Sequence, residues 1–183
     1  NGGTRQPNLV LMKIAGYLHY NNIHFRRIIA NDEPIGSYNH IYVSRVFSST
    51  PVPVFIENAL ANGMRDKIHF GGTGSYVNEK TIKKFKFERE KDLDQLENDA
   101  FLTSLSNDNN TNGIDMKQQM PYYKLYDEYI TKKESEGRKP SYFNDYKYYS
   151  IGFLTRGCVR HCPFCVNKLE KKVYRYSKLD WFL

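Results

Sequence analysis

All three cysteines of the 183-residue chain fall within eight residues, as Cys158-x3-Cys162-x2-Cys165. Random placement would crowd three cysteines this closely roughly once in two hundred chains. An odd, clustered set argues against a disulfide framework and for thiolate ligation of a metal in a reducing compartment, so a cytoplasmic protein is expected. The stretch constrains the chain more than any other, because its neighbours must bring three sulfurs to one point.

A loop with three thiolates can hold three irons of a four-iron cluster and leave the fourth iron open, whereas electron-transfer clusters use four cysteines. Two other readings use the same residues. A tetrahedral zinc site could recruit His161 beside Cys158, Cys162 and Cys165, although adjacency to Cys162 strains joint ligation. Alternatively the three thiols are buried structural groups whose spacing is accidental.

The stretch Gly152-Phe153-Leu154-Thr155-Arg156-Gly157-Cys158-Val159-Arg160-His161-Cys162-Pro163-Phe164-Cys165 resembles the cluster loop of the radical S-adenosylmethionine (SAM) superfamily. The resemblance implies a [4Fe–4S] cluster on Cys158, Cys162 and Cys165, with SAM on the open iron. It places Phe164 near the adenine of SAM. It implies reductive cleavage of SAM to a 5′-deoxyadenosyl radical acting on an unknown substrate, with an electron donor of flavodoxin or ferredoxin type. The loop follows the first barrel strand in that family, in keeping with active sites at the C-terminal ends of barrel strands. Arg156 and Arg160 flank the loop, either offsetting the charge of a thiolate-ligated cluster or standing in solvent.

Hydrophobic residues make up 40% of the chain and charged residues 26%, enough apolar material for a core. Pro7 to Asn21 is an expected amphipathic helix, with Leu9, Leu11, Ile14, Ala15 and Leu18 at helical spacing. Ile23 to Ala30 and His40 to Phe47 read as strands, the second with Ile41, Val43 and Arg45 on one face. Pro51 to Asn62 reads as a helix with both prolines in its first turn, stopped by Gly63. Lys67 to Phe70 is a short strand running into Gly71-Gly72-Thr73-Gly74. This alternation predicts an α/β layer with a parallel sheet.

Lys83 to Glu90 alternates like a strand, Asp92 to Ser104 like a helix, and Ser106 to Gly113 is a polar low-complexity loop. Tyr122 to Glu136 predicts a helix with a tyrosine stripe, closed by Gly137 and Pro140. Tyr148 to Leu154 is an expected strand entering the cysteine loop, and Val173 to Tyr176 a short one. Ser177 is expected to cap a final helix, with Asp180 at its third position.

Asn1 to Tyr76 resembles the cobalamin-binding-like domain that precedes many radical SAM barrels. Ser44-Arg45-Val46 and Gly71-Gly72 echo two of its backbone signatures. The Asp-x-His-x-x-Gly signature is absent, and the turn Asn1-Gly2-Gly3-Thr4-Arg5-Gln6 offers no lower cobalt ligand, so cobalamin is not expected in its His-ligated form. The expected architecture is therefore α/β throughout. A Rossmann- or flavodoxin-like parallel sheet occupies 1–105, a polar, Tyr-rich connector 106–146, and the start of a radical SAM partial TIM barrel 147–183. Gly2-Gly3 before a helix reads as a βα turn, which puts a strand before Asn1. Asp180-Trp181-Phe182-Leu183 reads as an interrupted helix. The chain is thus expected to be a fragment, inactive by itself.

The formal charge of +7 is compatible with a nucleic-acid partner. A basic nucleic-acid-binding module with a zinc or structural cysteine loop is the competing functional reading. Lysines such as Lys83, Lys84, Lys86, Lys132, Lys133, Lys171 and Lys172 are scattered, as on a solvated face. No apolar run approaches the length of a membrane span. His19, His24, His40 and His69 each read as isolated.

Overall fold

The computed structural model describes residues 7–28, 34–47, 49–71, 118–160 and 172–183. The chain is a mixture of helix and strand that includes a small, two-stranded parallel sheet. It divides into two compact units, 28–113 and 1–27 with 114–183. The expected strand at 83–90, helix at 92–104, polar loop at 106–113 and Gly2-Gly3 turn lie outside the described residues.

In the first unit, β1 (Ile41–Ser44) and β2 (Ile68–Gly71) pair in parallel, with Ile41 opposite Ile68 and Val43 opposite Phe70. The connection between them carries α2 (Val54–Ala61), which makes this a strand–helix–strand unit. The period of two along a strand puts Ile41, Ile68 and Phe70 into one cluster with Ile35, Ile56 and Ala59. Arg45, next on the same face, is buried too, and its N–H extends the ladder to the Gly71 carbonyl at 2.8 Å. Both prolines precede α2 rather than lying in its first turn. Pro53 is its N-cap residue, whose carbonyl accepts from Ile56 and Glu57.

In the second unit, α1 (Leu9–Tyr20) is capped by Asn8, whose side chain accepts from the Leu11 N–H at 3.2 Å. The sequence reading groups this helix with the parallel strands, but its partners come from far along the chain. The Tyr122 N–H donates to the Met12 carbonyl at 2.8 Å, and the Asn8 N–H to the Tyr126 phenol at 2.9 Å. Residues 123–126 form a 3-10 turn that runs into α3 (Asp127–Ser135), which bears out the predicted helix with a tighter first turn. A second 3-10 turn (Pro140–Phe143) leads into the short α4 (Asn144–Lys147). Met12, Tyr126, Ile130 and Phe143 form the core, with Tyr123, Tyr129, Tyr142 and Tyr146 packed around it. The tyrosine stripe is therefore packing.

Helices α1, α2 and α3 end alike. The residue after each C-cap, Asn22, Gly63 or Gly137, has a positive φ of 57°, 80° or 89°. Its N–H bonds back to His19, Leu60 or Glu134, and the next N–H reaches Leu18, Ala59 or Lys133. These two bonds satisfy carbonyls that the helix leaves open, and Gly or Asn tolerates the left-handed backbone they require.

Three local expectations change. The described part of Ile23 to Ala30, residues 23–28, is not strand. The Ile23 N–H closes α1 and the Phe25 ring stands edge-on to Tyr122, so these residues are held without a strand partner. Tyr148 to Leu154 is also not strand. The Tyr148 N–H closes α4 on Asn144, and the Ile151 N–H goes to the Tyr123 phenol at 3.3 Å. Strand pairing starts only where a neighbour is within reach, in β3 (Thr155–Arg156) against β4 (Tyr174–Arg175). The second of these is the expected short strand. Ser177 caps no helix. It is buried, its hydroxyl donates to the Phe153 carbonyl at 2.6 Å, and a three-residue 3-10 turn, Leu179–Trp181, follows without a side-chain cap.

Among the described residues, no helix is long and apolar enough to cross a membrane.

Candidate functional site

The cysteine loop leaves from the end of β3 and returns at β4, and these strands form its neck. They are antiparallel, with Thr155 opposite Arg175 and Arg156 opposite Tyr174. The Tyr176 N–H to the Leu154 carbonyl, at 2.9 Å, continues the pairing, and the Ser177 hydroxyl ties down Phe153 below it. Four successive residues of the incoming arm are thus joined to the outgoing arm. Lower still, Gly152 lies flat against the Phe182 ring, where a Cβ would collide with the ring carbons.

Gly157 joins the neck to the first cysteine. Its φ of 87° is a conformation that side-chain-bearing residues rarely adopt. Its α-carbon also faces the Lys172 carbonyl oxygen so closely that a Cβ would overlap it. Cys158 follows, half-buried and in no disulfide. Its Sγ accepts the Arg160 backbone N–H at 3.3 Å. Such a bond turns the chain sharply around the sulfur and suits a sulfur carrying negative charge, as a metal thiolate does.

Cys162, Cys165, Phe164 and His161 lie outside the described residues, so of the sequence-derived ligands Cys158 alone is described. Among the described residues, no three His, Cys, Asp or Glu side chains converge on one point. Cys158, with a free Sγ that accepts an N–H, and the three-thiol donor set fit a soft, thiolate-bound metal or cluster.

Arg156 is half-buried. Its guanidinium carbon lies 4.2 Å from the Tyr176 ring centroid and 5.3 Å from that of Phe153. Lys133 is engaged by Glu136 at 2.5 Å, and Lys147 at the end of α4 by Glu134 of α3 at 2.6 Å.

Sequence reasoning missed one side-chain pair. His40 Nδ1 and His69 Nε2 are 2.9 Å apart, and Tyr42 stacks on His69 with ring centroids 5.0 Å apart. The parallel register explains the meeting. His40 precedes Ile41, His69 follows Ile68, and Ile41 pairs with Ile68, so the two imidazoles are diagonal neighbours on the face opposite Ile41 and Phe70. The imidazole centroids are 5.2 Å apart, close to the sum of the N···N distance and two ring radii of about 1.1 Å. The two nitrogens therefore point nearly straight at one another, as a shared N–H···N proton requires. The signal available beforehand was positional: each His lies next to the first apolar residue of its strand.

Comparison with protein-family models, with curated proteins and with solved structures found no match.

Proposed function

We propose that the chain carries the cluster-binding part of a radical SAM enzyme, with Cys158, Cys162 and Cys165 as the three cluster ligands and Phe164 beside the adenine of SAM. The observation that carries this reading is the Cys-x3-Cys-x2-Cys spacing with an aromatic residue before the last cysteine. The zipped neck supports it, because three thiolates converge on one cluster more readily from a loop whose two ends are held together. Cys158, Cys162 and Cys165 would hold a four-iron cluster that, once reduced by an electron donor of flavodoxin or ferredoxin type, would supply the electron for reductive cleavage of SAM to a 5′-deoxyadenosyl radical. The protein's own part is geometric. Gly157 turns Cys158 out of the neck, and the Arg160 N–H donates to its sulfur.

The strand–helix–strand unit is compatible with the Rossmann- or flavodoxin-like N-terminal domain of this reading, which is proposed along with a cobalamin-binding-like origin. The antiparallel neck is not the parallel beginning of a TIM barrel, so the barrel part rests on the cysteine motif alone. That same neck favours one other reading, a zinc-bound cysteine loop at the end of a hairpin, which would make the chain a basic binding module. Metal analysis after anaerobic purification and reconstitution separates the two. The proposal requires about four irons and four sulfides per chain and SAM cleavage by the reduced protein. One tightly held zinc with no iron uptake would establish the other reading.

A further inference from the structure

We infer that Arg156 is the positioning residue of the cysteine loop: its guanidinium, set against the rings of Tyr176 and Phe153, locks the mouth of the neck so that Cys158 is presented to a common metal centre. This rests on the reading of the loop as a cluster site.

The argument starts from how little holds the neck at that end. The ladder is two residue pairs long, and an isolated two-stranded pairing is marginal in water. The Leu154–Tyr176 and Phe153–Ser177 hydrogen bonds lie at the end farther from the cysteines. Arg156 is the last paired residue before Gly157, whose conformation leaves no side chain to pack. Fraying at this point would move Cys158 directly, two residues on.

Arg156 counters fraying across the ladder. It sits opposite Tyr174, and Leu154 sits opposite Tyr176, so Arg156 and Tyr176 are diagonal neighbours on one face and within reach of a long side chain. Tyr176 is only 7% exposed, which makes it a fixed anchor on the outgoing arm. Both ring distances fall inside the roughly 6 Å over which a cation is held by an aromatic face. A planar guanidinium can stack on rings as an ammonium cannot, so the contact depends on arginine and not on positive charge alone.

The test compares the wild-type chain with Arg156→Lys, Arg156→Gln, Tyr176→Leu and the Arg156→Gln/Tyr176→Leu double variant. Each is reconstituted anaerobically with ferrous iron and sulfide, and iron release to a strong ferrous chelator is timed. The urea midpoint of each metal-free chain is measured alongside, so that loss of folding is seen separately from loss of cluster retention. Release should be roughly 10- to 100-fold faster in Arg156→Gln, the usual cost of losing a group that orients a metal ligand. Arg156→Lys should release nearly as fast, the metal-free midpoints of both should stay close to wild type, and the double variant should be no worse than Tyr176→Leu. Wild-type release rates in both Arg156 variants would overturn the role. So would full rescue by Lys, or acceleration that merely follows a fall in the metal-free midpoint. Failure of the wild-type chain to take up iron would instead sink the cluster reading, and this inference with it.

Discussion

Tyr123 and Phe182 are joined across 59 residues by one hydrogen bond, from the Tyr123 phenol to the Phe182 carbonyl. The same oxygen accepts the Ile151 N–H at 3.3 Å, so a single hydroxyl ties the turn before α3 both to the approach to the neck and to the end of the described chain. Tyr123→Phe keeps the ring and removes the bridge, leaving a carbonyl and an N–H without that partner. The substitution should cost about 1–3 kcal/mol, read as a lower urea midpoint at unchanged slope. An unchanged midpoint would mean that water replaces the phenol at no cost.

Gly157→Ala should be far more damaging than an ordinary loop substitution. The added methyl meets both a left-handed backbone and the Lys172 carbonyl oxygen. A loss of about 1–3 kcal/mol is expected from the backbone strain, together with weaker metal retention. Gly36→Ala is the control, since nothing lies within 4 Å of its Cβ position. Equal denaturation midpoints for the two variants would show that the neck relaxes around the methyl group.

Alkaline stability should depend on Tyr146. Burial, and then the neighbouring Tyr126 and Tyr129, push its phenol from 10.0 up to about 12. Because the folded form holds this proton more tightly than the unfolded chain, the stabilisation is complete below about pH 10. It is lost as pH rises from there through about 12. Burial raises Tyr126 in the same direction. Chemical unfolding from pH 8 to 12 should therefore show stability falling above pH 10, with a shallower fall in Tyr146→Phe. Identical slopes in the two proteins would remove Tyr146 from the account.

Phe143 has 0% exposure and sits among the Tyr129, Tyr142 and Tyr146 rings at centroid distances of 6.1, 5.2 and 6.0 Å. Phe143→Ala should cost about 3–5 kcal/mol, the usual range for emptying an aromatic core site. Phe143→Leu should recover much of that. A melting temperature within two or three degrees of wild type for the Ala variant, on the order of 1 kcal/mol or less, would show that the rings close over the gap.

Alanine at Cys158, Cys162 or Cys165 should each abolish cluster assembly, read as loss of iron, sulfide and the reduced-cluster paramagnetic signal. Retention of a full cluster by Cys162→Ala would end the three-thiol assignment.

Local rules sufficed where a segment's own apolar spacing or a stop residue fixes its form. The apolar spacing of Leu9 to Leu18, the stop at Gly63 and the period-two apolar positions of Ile41 and Ile68 follow from backbone geometry, and helices and strands appeared there. The candidate ligands were read from residue type and spacing, and of them Cys158 alone lies among the described residues. What sequence could not decide was who meets whom. Residues 148–154 and 23–28 are apolar enough for strands, yet their N–H groups met Tyr123, Asn144 and Leu18 first. Helix α1 reads as part of the parallel layer but is bonded to Tyr122 and Tyr126, more than a hundred residues away. His40 and His69 become a pair only once the parallel register is set. Arg156 between two rings and Ser177 on the Phe153 carbonyl likewise exist only once the two arms close. Spacing along the chain determines what each residue can offer, whereas these partnerships depend on loop closures whose cost is shared by the whole packed unit.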